Sequence, residues 1–118
     1  MSTTIDVTAE SFDQTVSEGI VLLDFWAAWC GPCRSFAPVF EAAAAANPDI
    51  TFGKVDTEAQ RELAAAFEIR SIPTLVAIRD RTIVFAQPGA LPAPALADLV
   101  AQVRALDMDA VRAQSGAA

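Results

Sequence analysis

Residues 20–33, which read IVLLDFWAAWCGPC, combine a strongly apolar stretch with the two cysteines of the chain. The first seven are apolar, β-branched or aromatic except for Asp24, which is typical of a strand buried on both faces in a partly parallel sheet. Cys30 and Cys33 follow at the predicted start of a helix, where residues three apart share a face and can form and reopen a disulfide. The stretch therefore predicts a strand and a helix joined by a reversible two-electron thiol site.

The size and composition of the chain fit one folded domain. A chain of 118 residues can bury roughly two thirds of the surface that its unfolded form exposes. Hydrophobic residues make up 53% of it and charged residues 19%, which indicates a dense core rather than a disordered segment. We expect a single domain over residues 1–118, with its core at about residues 5–106 and a flexible tail at residues 113–118.

Charge and the amino-terminal sequence narrow the choice of partners and compartment. The net charge is −7, and the eight Lys and Arg residues are spread without the basic cluster that nucleic acid binding requires. The first residues lack the features of a secretory signal, and no apolar run is long enough to span a bilayer. We expect a cytoplasmic monomer with no nucleic acid or membrane partner. In that reducing compartment a cysteine pair is more often catalytic or metal-binding than structural.

The chain contains no histidine and no tyrosine. This excludes Ser-His and Cys-His nucleophilic systems, histidine acid–base catalysis and zinc sites built on imidazole. The remaining reactive groups are the two thiols, the carboxylates and a single lysine, Lys54. The alternative to a redox pair is half of a structural zinc site. Two cysteines would then need carboxylates or a second chain to complete the tetrahedron, so no metal is expected.

Hydrophobic periodicity and turn residues predict the element order βαβαβαββα. This is an α/β fold in which a central mixed sheet of about five strands is flanked on both faces by four helices. The predicted strands are residues 5–7, 20–26, 50–56, 74–79 and 83–87, the last two forming a hairpin around Asp80 and Arg81. The predicted helices are residues 9–17 with Thr8 as N-cap, 33–46 with a kink at Pro38, a third from a Thr57–Gln60 capping box to Phe67, and an amphipathic one through Leu96 and Leu106.

Further motifs lie in a definite order around the cysteines. They are Asp24-Phe25-Trp26, Trp29-Cys30-Gly31-Pro32-Cys33, Pro38, Lys54-Val55-Asp56, Ile72-Pro73-Thr74 and Gly89-Ala90. In this order and spacing, from about residue 5 to residue 106, the chain resembles the thioredoxin family, and a CxxC pair near a βαβ pattern is typical of it. The resemblance implies a thioredoxin fold and a protein-disulfide reductase.

The position of each cysteine suggests its role. Cys30 lies just before or at the start of the helix, where free N–H groups and the helix dipole favour a thiolate, so we expect it to be the nucleophile. Cys33, one turn later, is expected to be more shielded and to act as the resolving thiol. Gly31 and Pro32 offer no side-chain charge or hydrogen bond, which together with the resemblance favours a reducing pair.

Two ionisable residues are candidates for proton transfer. Asp24 lies among apolar neighbours, so desolvation is expected to raise its pKa towards the working pH; the alternative is a solvent-facing Asp on an edge strand. The resemblance implies that Asp24 moves a proton to or from Cys33 through water. It also implies that Lys54 lies near Asp24 and modulates its charge, whereas a lone strand lysine is usually solvated.

The resemblance also implies a substrate-binding surface, formed by Trp29, Ile72, Pro73, Gly89 and Ala90. Backbone groups of Ile72 are expected to bind an extended substrate segment in the manner of an added strand. Pro73 is expected to be cis, although an isolated Ile-Pro-Thr is usually trans.

The chain departs from the family pattern at two places. Pro88 stands where the family usually has an aliphatic residue, which implies a stiffer and differently selective groove. The turn at residues 79–82 reads RDRT instead of containing a glycine. That turn is far from the sulfurs. We therefore expect its unusual sequence to affect stability or partner docking and not the reaction.

The resemblance implies the partners of the reaction as well. Disulfide-containing proteins would be the substrates, and a flavin- and NADPH-dependent thioredoxin reductase would return the pair to the dithiol. The chain has no dinucleotide-binding fingerprint and is expected to hold no cofactor. Two alternatives stay open: a thioredoxin-fold binding or scaffold subunit whose cysteines are incidental, and a thiol oxidant or isomerase.

Overall fold

The computed structural model describes residues 3–114 and confirms the predicted order of elements, with one helix added at the end. The strands are β1 (Ile5–Asp6), β2 (Ile20–Trp26), β3 (Thr51–Asp56), β4 (Thr74–Arg79) and β5 (Thr82–Pro88). The helices are α1 (Phe12–Thr15), α2 (Gly31–Ala46), α3 (Arg61–Ala66), α4 (Ala93–Ala105) and α5 (Met108–Gln114). No helix within residues 3–114 is long and apolar enough to cross a membrane.

The five strands form one mixed sheet in the order β1-β3-β2-β4-β5. The strands β1, β3 and β2 run parallel to one another, while β4 is antiparallel to β2 and β5 is antiparallel to β4. The central strand is β2, and Val21 to Phe25 are each no more than 1% exposed. The prediction of a strand buried on both faces is confirmed.

Two apolar cores cover the two faces of this sheet. On one face, Leu22 and Phe52 pack with residues of α2 and α4. On the other, Leu23 and Val55 pack with Leu63 of α3 and with Phe12 at the start of α1. Successive side chains of a strand point to opposite faces. Asp24 and Trp26 therefore point to the same face as Leu22, which α2 covers.

The helix α2 runs without interruption from Gly31 to Ala46, although it contains Pro38. Its C-cap is Asn47, followed by Pro48, so the predicted end is confirmed. At the other end the helix begins two residues earlier than predicted, because Cys30 serves as the N-cap.

Two helix starts differ from the sequence-based expectation. Thr8 and Ser11 exchange hydrogen bonds between each backbone N–H and the other's hydroxyl, at 2.9 and 3.1 Å, and this turn delays α1 until Phe12. The predicted capping box at residues 57–60 is wrong. The Thr57 hydroxyl donates instead to the carbonyl oxygen of Trp26 at 3.0 Å, so it ties β2 to the segment after β3, and α3 begins at Arg61.

The hairpin between β4 and β5 is confirmed, with a two-residue turn. Asp80 and Arg81 have φ of 52° and 66°, the positive values of a primed hairpin turn, here adopted without glycine. The Arg79 guanidinium donates to the carbonyl oxygens of Val103 and Leu106, both at 2.9 Å. The hairpin is thereby fastened to the carboxyl end of α4, where orphan carbonyls need donors.

The prediction of four helices is wrong by one, because α5 follows α4 after a short break. The Asp107 carboxylate accepts from the N–H groups of Asp109 and Ala110, at 3.1 and 3.2 Å, which is the arrangement of an N-cap. Met108 is buried. Residues 113 and 114 of the expected tail belong to α5, and residues 115–118 lie outside the described part of the chain.

Gly53 allows β3 to pack closely against its neighbours. It is paired with Ile5 on β1 and with Leu23 on β2. A Cβ at this position would lie 2.6 Å from Cγ2 of Val7 and 3.0 Å from Cδ2 of Leu23. Both of those side chains are fully buried, so neither can move aside freely.

The substitution Gly53→Ala should lower the free energy of unfolding by about 1–3 kcal/mol, the usual range for an overpacked core. Urea denaturation of the oxidised protein measures this change. Gly31→Ala is the control, since a Cβ there would meet only the Arg34 guanidinium at 3.9 Å. Equal denaturation midpoints for Gly53→Ala and the wild type would contradict the close packing of β1, β3 and β2.

Candidate active site

The two cysteines lie at the amino end of α2 and form a disulfide, with 5.2 Å between their Cα atoms. Cys30 is the N-cap, with an extended backbone (φ −86°, ψ 114°), and its Sγ accepts a hydrogen bond from the N–H of Cys33 at 3.1 Å. Gly31 and Pro32 form the first two helical positions, where a missing proline N–H leaves no partner unsatisfied. Helix geometry thus brings the two sulfurs together.

The accessibility of the two cysteines is nearly the same in this disulfide state. Cys30 is 4% exposed and Cys33 is 3% exposed, so the greater shielding expected for Cys33 is not seen. Trp29, by contrast, is 67% exposed directly beside Cys30. The structure therefore distinguishes the two sulfurs by their position on the helix, not by their burial.

A loop carrying a cis peptide bond between Ile72 and Pro73 lies against the disulfide. The carbonyl oxygen of Ile72 lies 3.7 Å from Sγ of Cys30. The carbonyl oxygen of Pro73 accepts from the N–H of Gly89 at 2.8 Å, and Gly89 has a φ of 105°. Ile72 therefore lies next to Cys30, Gly89 lies next to Pro73, and Ala90 is exposed.

Asp24 is enclosed in the central strand, 1% exposed, which excludes the alternative of a solvent-facing edge residue. Neither carboxyl oxygen has a hydrogen-bond partner among the described residues. Burial raises the pKa of Asp24 from 3.8 to about 6, and the positive charge of Lys54 partly opposes that rise. The carboxyl group is thus able to gain and lose a proton near neutral pH.

Lys54 on β3 is paired with Asp24 in the sheet, but its ammonium group lies over an aromatic ring. Its Nζ lies 4.9 Å from the centre of the Trp26 ring, a cation–π distance. Within residues 3–114 no ion pair shorter than 4.0 Å joins Lys54 to Asp24. Lys54 therefore acts on Asp24 through space and not through a direct contact.

Trp26 also lies at this site, although the sequence motif that contains it gave it no role there. It is half-buried and lines a cavity of about 230 Å³ with Lys54 and Asp56. Its indole N–H is buried without a partner among the described residues. The signal was present in the sequence, because Trp26 lies two positions after Asp24 and so points to the same face of the sheet.

The sequence of this chain is similar to those of known thioredoxins. The thioredoxin family model matches residues 3–102. "Putative thioredoxin 2" of Streptomyces coelicolor is 63% identical over 113 residues, covering 95% of this chain and 84% of the relative. The thioredoxin of Bacillus subtilis is 40% identical over 97 residues, covering 81% and 93%.

Solved structures agree with the sequence comparison. A point mutant of the thioredoxin from Halobacterium salinarum superposes with a TM-score of 0.82 at 33% identity, covering 90% of this chain and 96% of that one. Malassezia sympodialis thioredoxin superposes with a TM-score of 0.75 at 32% identity, covering 86% and 91%. With a disulfide at the amino end of α2, this chain belongs to the thioredoxin family and is a thiol–disulfide oxidoreductase.

Proposed function

We propose that this protein reduces protein disulfides, with Cys30 as the nucleophile and Cys33 as the resolving thiol. The Cys30 thiolate attacks one sulfur of a substrate disulfide, forms a mixed disulfide and releases one substrate thiolate. The Cys33 thiolate then attacks Sγ of Cys30, which releases the second substrate thiolate and closes the Cys30–Cys33 disulfide. Two electrons pass to the substrate, and the released thiolates are protonated.

The hydrogen bond at the N-cap is the observation that carries this assignment. Sγ of Cys30 accepts from the N–H of Cys33 and lies at the amino end of the 16-residue α2. Both the donor and the positive end of the helix dipole stabilise negative charge on that sulfur. Cys33 lies within the first helical turn, so its own sulfur is not at the N-cap. A thiolate is therefore favoured at Cys30.

Asp24 is proposed to exchange a proton with Cys33 through water. Its side chain points to the face of the sheet that α2 covers, and the first turn of α2 carries Cys33. A carboxyl group with a pKa of about 6 is present in both protonation states near neutral pH, which suits a general acid and base. Lys54 is proposed to keep that pKa from rising further.

The substrate segment is proposed to lie across Ile72, between Trp29 on one side and Gly89 and Ala90 on the other. Within residues 3–114 the N–H of Ile72 has no hydrogen-bond partner and its carbonyl oxygen lies near only Sγ of Cys30, at 3.7 Å, so both groups can pair with an extended peptide. Pro73 is buried beneath them and its carbonyl is occupied by Gly89.

The oxidised pair must be reduced again after each turnover. We propose that a flavin- and NADPH-dependent thioredoxin reductase does this. We also propose that the protein works as a monomer in the cytoplasm, a reducing compartment in which a dithiol persists. The assignment to the thioredoxin family supports this partner. In addition, the chain offers one dithiol, formed by its two cysteines, and no second redox group that could receive electrons from NADPH.

Substrate trapping tests the roles of the two cysteines. In Cys33→Ser, mixed disulfides between Cys30 and substrate proteins should persist, because no resolving thiolate attacks them. Non-reducing electrophoresis followed by mass spectrometry measures the adducts. Cys30→Ser is the matched control and should capture nothing. Equal capture by both variants would contradict the assignment, and activity surviving in Cys30→Ser would indicate a scaffold.

Asp24→Asn tests the buried carboxyl through stability. Raising the pKa from 3.8 to about 6 means that the folded protein binds the proton more tightly than the unfolded chain. The wild type should therefore lose about 2 kcal/mol of unfolding free energy between pH 4 and pH 7, at ~1.4 kcal/mol per unit of pKa difference, because the unfolded carboxyl is already largely ionised at pH 4; Asp24→Asn loses none of this. Urea unfolding of both oxidised proteins should show equal stability at pH 4 and a more stable variant at pH 7. A constant difference at all pH values would contradict the raised pKa.

Lys54→Met tests the opposing charge. Without the lysine, the pKa of Asp24 should move above about 6, because Lys54 lowers it. Titration of the carboxyl carbon of Asp24 by NMR measures the change. Arg81→Gln removes the same charge at the distant hairpin turn and should leave the titration as it is. A shift of similar size in both variants would show a general charge effect.

A further inference from the structure

A second cavity lies directly beside the disulfide, on the α3 side of the proposed substrate path. Its volume is about 490 Å³, and its lining includes Trp29 and Ile72, the two groove residues that flank Cys30. Three charged residues also line it: Glu58, Arg61 and Arg70. A peptide that crosses Ile72 would therefore pass the mouth of this cavity.

The two arginines of this cavity differ from most basic residues of the chain. Arg79, Arg104 and Arg112 are paired with carboxylates, the Arg34 guanidinium donates to the carbonyl of Ala28, and Lys54 lies over Trp26. The side chains of Arg61 and Arg70 are exposed and form no hydrogen bond or ion pair with any described residue. Their donor groups are thus available to a ligand.

The local charge here is opposite to that of the whole protein. The chain carries a net charge of −7, which repels an acidic partner at a distance. Two arginines and one glutamate, Glu58, line the cavity, so positive charge is in excess there. A guanidinium group binds a carboxylate through two parallel hydrogen bonds, a geometry that an exposed arginine can offer to an arriving side chain.

We propose that this cavity binds an Asp or Glu side chain next to the substrate disulfide, so that the protein prefers disulfides in acidic segments. The inference rests on the proposed function, since it specifies the substrates of the same site. The occupant is a side chain of the substrate polypeptide, because the cavity adjoins the path of the bound segment at Ile72 and Trp29.

Matched peptide disulfides test this proposal. Each peptide carries two Glu or two Gln residues on either the amino or the carboxyl side of one cysteine. Pre-reduced protein is mixed with excess peptide and a single turnover is followed by tryptophan fluorescence, so no reductase takes part. In one of the two positions, the Glu peptide should react faster than its Gln counterpart by roughly two- to fivefold per arginine, the range for exposed ion pairs.

The variants Arg61→Gln and Arg70→Gln should each reduce this preference, and their combination should abolish it. Arg81→Gln is the control, since it removes an exposed arginine at the hairpin turn and should leave the preference unchanged. The preference should also shrink at about 1 M salt, where the screening length is about 3 Å.

The outcomes separate this inference from the function on which it rests. Equal rates for Glu and Gln peptides in the wild type would overturn acidic selectivity while leaving disulfide reduction intact. A preference that survives in the double variant would place its origin outside this cavity and would equally overturn the proposal. Failure to reduce any peptide, Gln peptides included, would contradict the proposed function itself.

Discussion

Burial of β2 on both faces is the constraint on which the rest of the site depends. Because β3 and β4 flank this strand, its backbone cannot turn to present Asp24 to water, and strand alternation directs that carboxyl towards α2. The chain leaves the same strand at Trp26 and enters α2 through Cys30. One segment of the chain therefore positions both the buried carboxyl and the two thiols, although it buries a group that prefers water.

The raised pKa of Asp24 also depends on the lack of a direct ion pair between its carboxyl group and Lys54 among the described residues. A direct ion pair would hold the carboxyl in its charged form and remove it from proton exchange near neutral pH. The ammonium group instead lies over the face of Trp26, which satisfies its charge at some distance from the carboxyl oxygens. Desolvation then remains the dominant influence on Asp24, with the lysine as a moderating one.

Local patterns in the sequence predicted most of the fold, because the spacing of apolar residues indicates which strands are buried and which face of a helix is apolar. They failed where a polar side chain had competing partners. Thr57 has the spacing of a capping residue, but its hydroxyl instead joins the segment after β3 to β2, and only the tertiary structure decides between these uses. Asp107, by contrast, was a readable N-cap signal for α5 that the weak apolar pattern after it obscured.

The candidate site shows the same division. The cysteines, Asp24 and the Ile72-Pro73 pair could be identified from motifs, since each has a fixed spacing. The placement of Trp26 and the grouping of Arg61 with Arg70 beside Trp29 depend on strand register and on how α3 packs, which no short motif records. Trp29 lies near Arg61 and Arg70 only because the sheet brings these distant parts of the chain together.

The hydrogen bond between the N–H of Gly89 and the carbonyl of Pro73 joins the two loops of the groove through main-chain atoms alone. Side chains at the rim, Pro88 and Ala90 among them, contribute nothing to that bond. A substitution of either side chain therefore leaves the contact between the two loops in place. The proposed groove can therefore change its side chains, and with them its substrates, while its main-chain frame is kept.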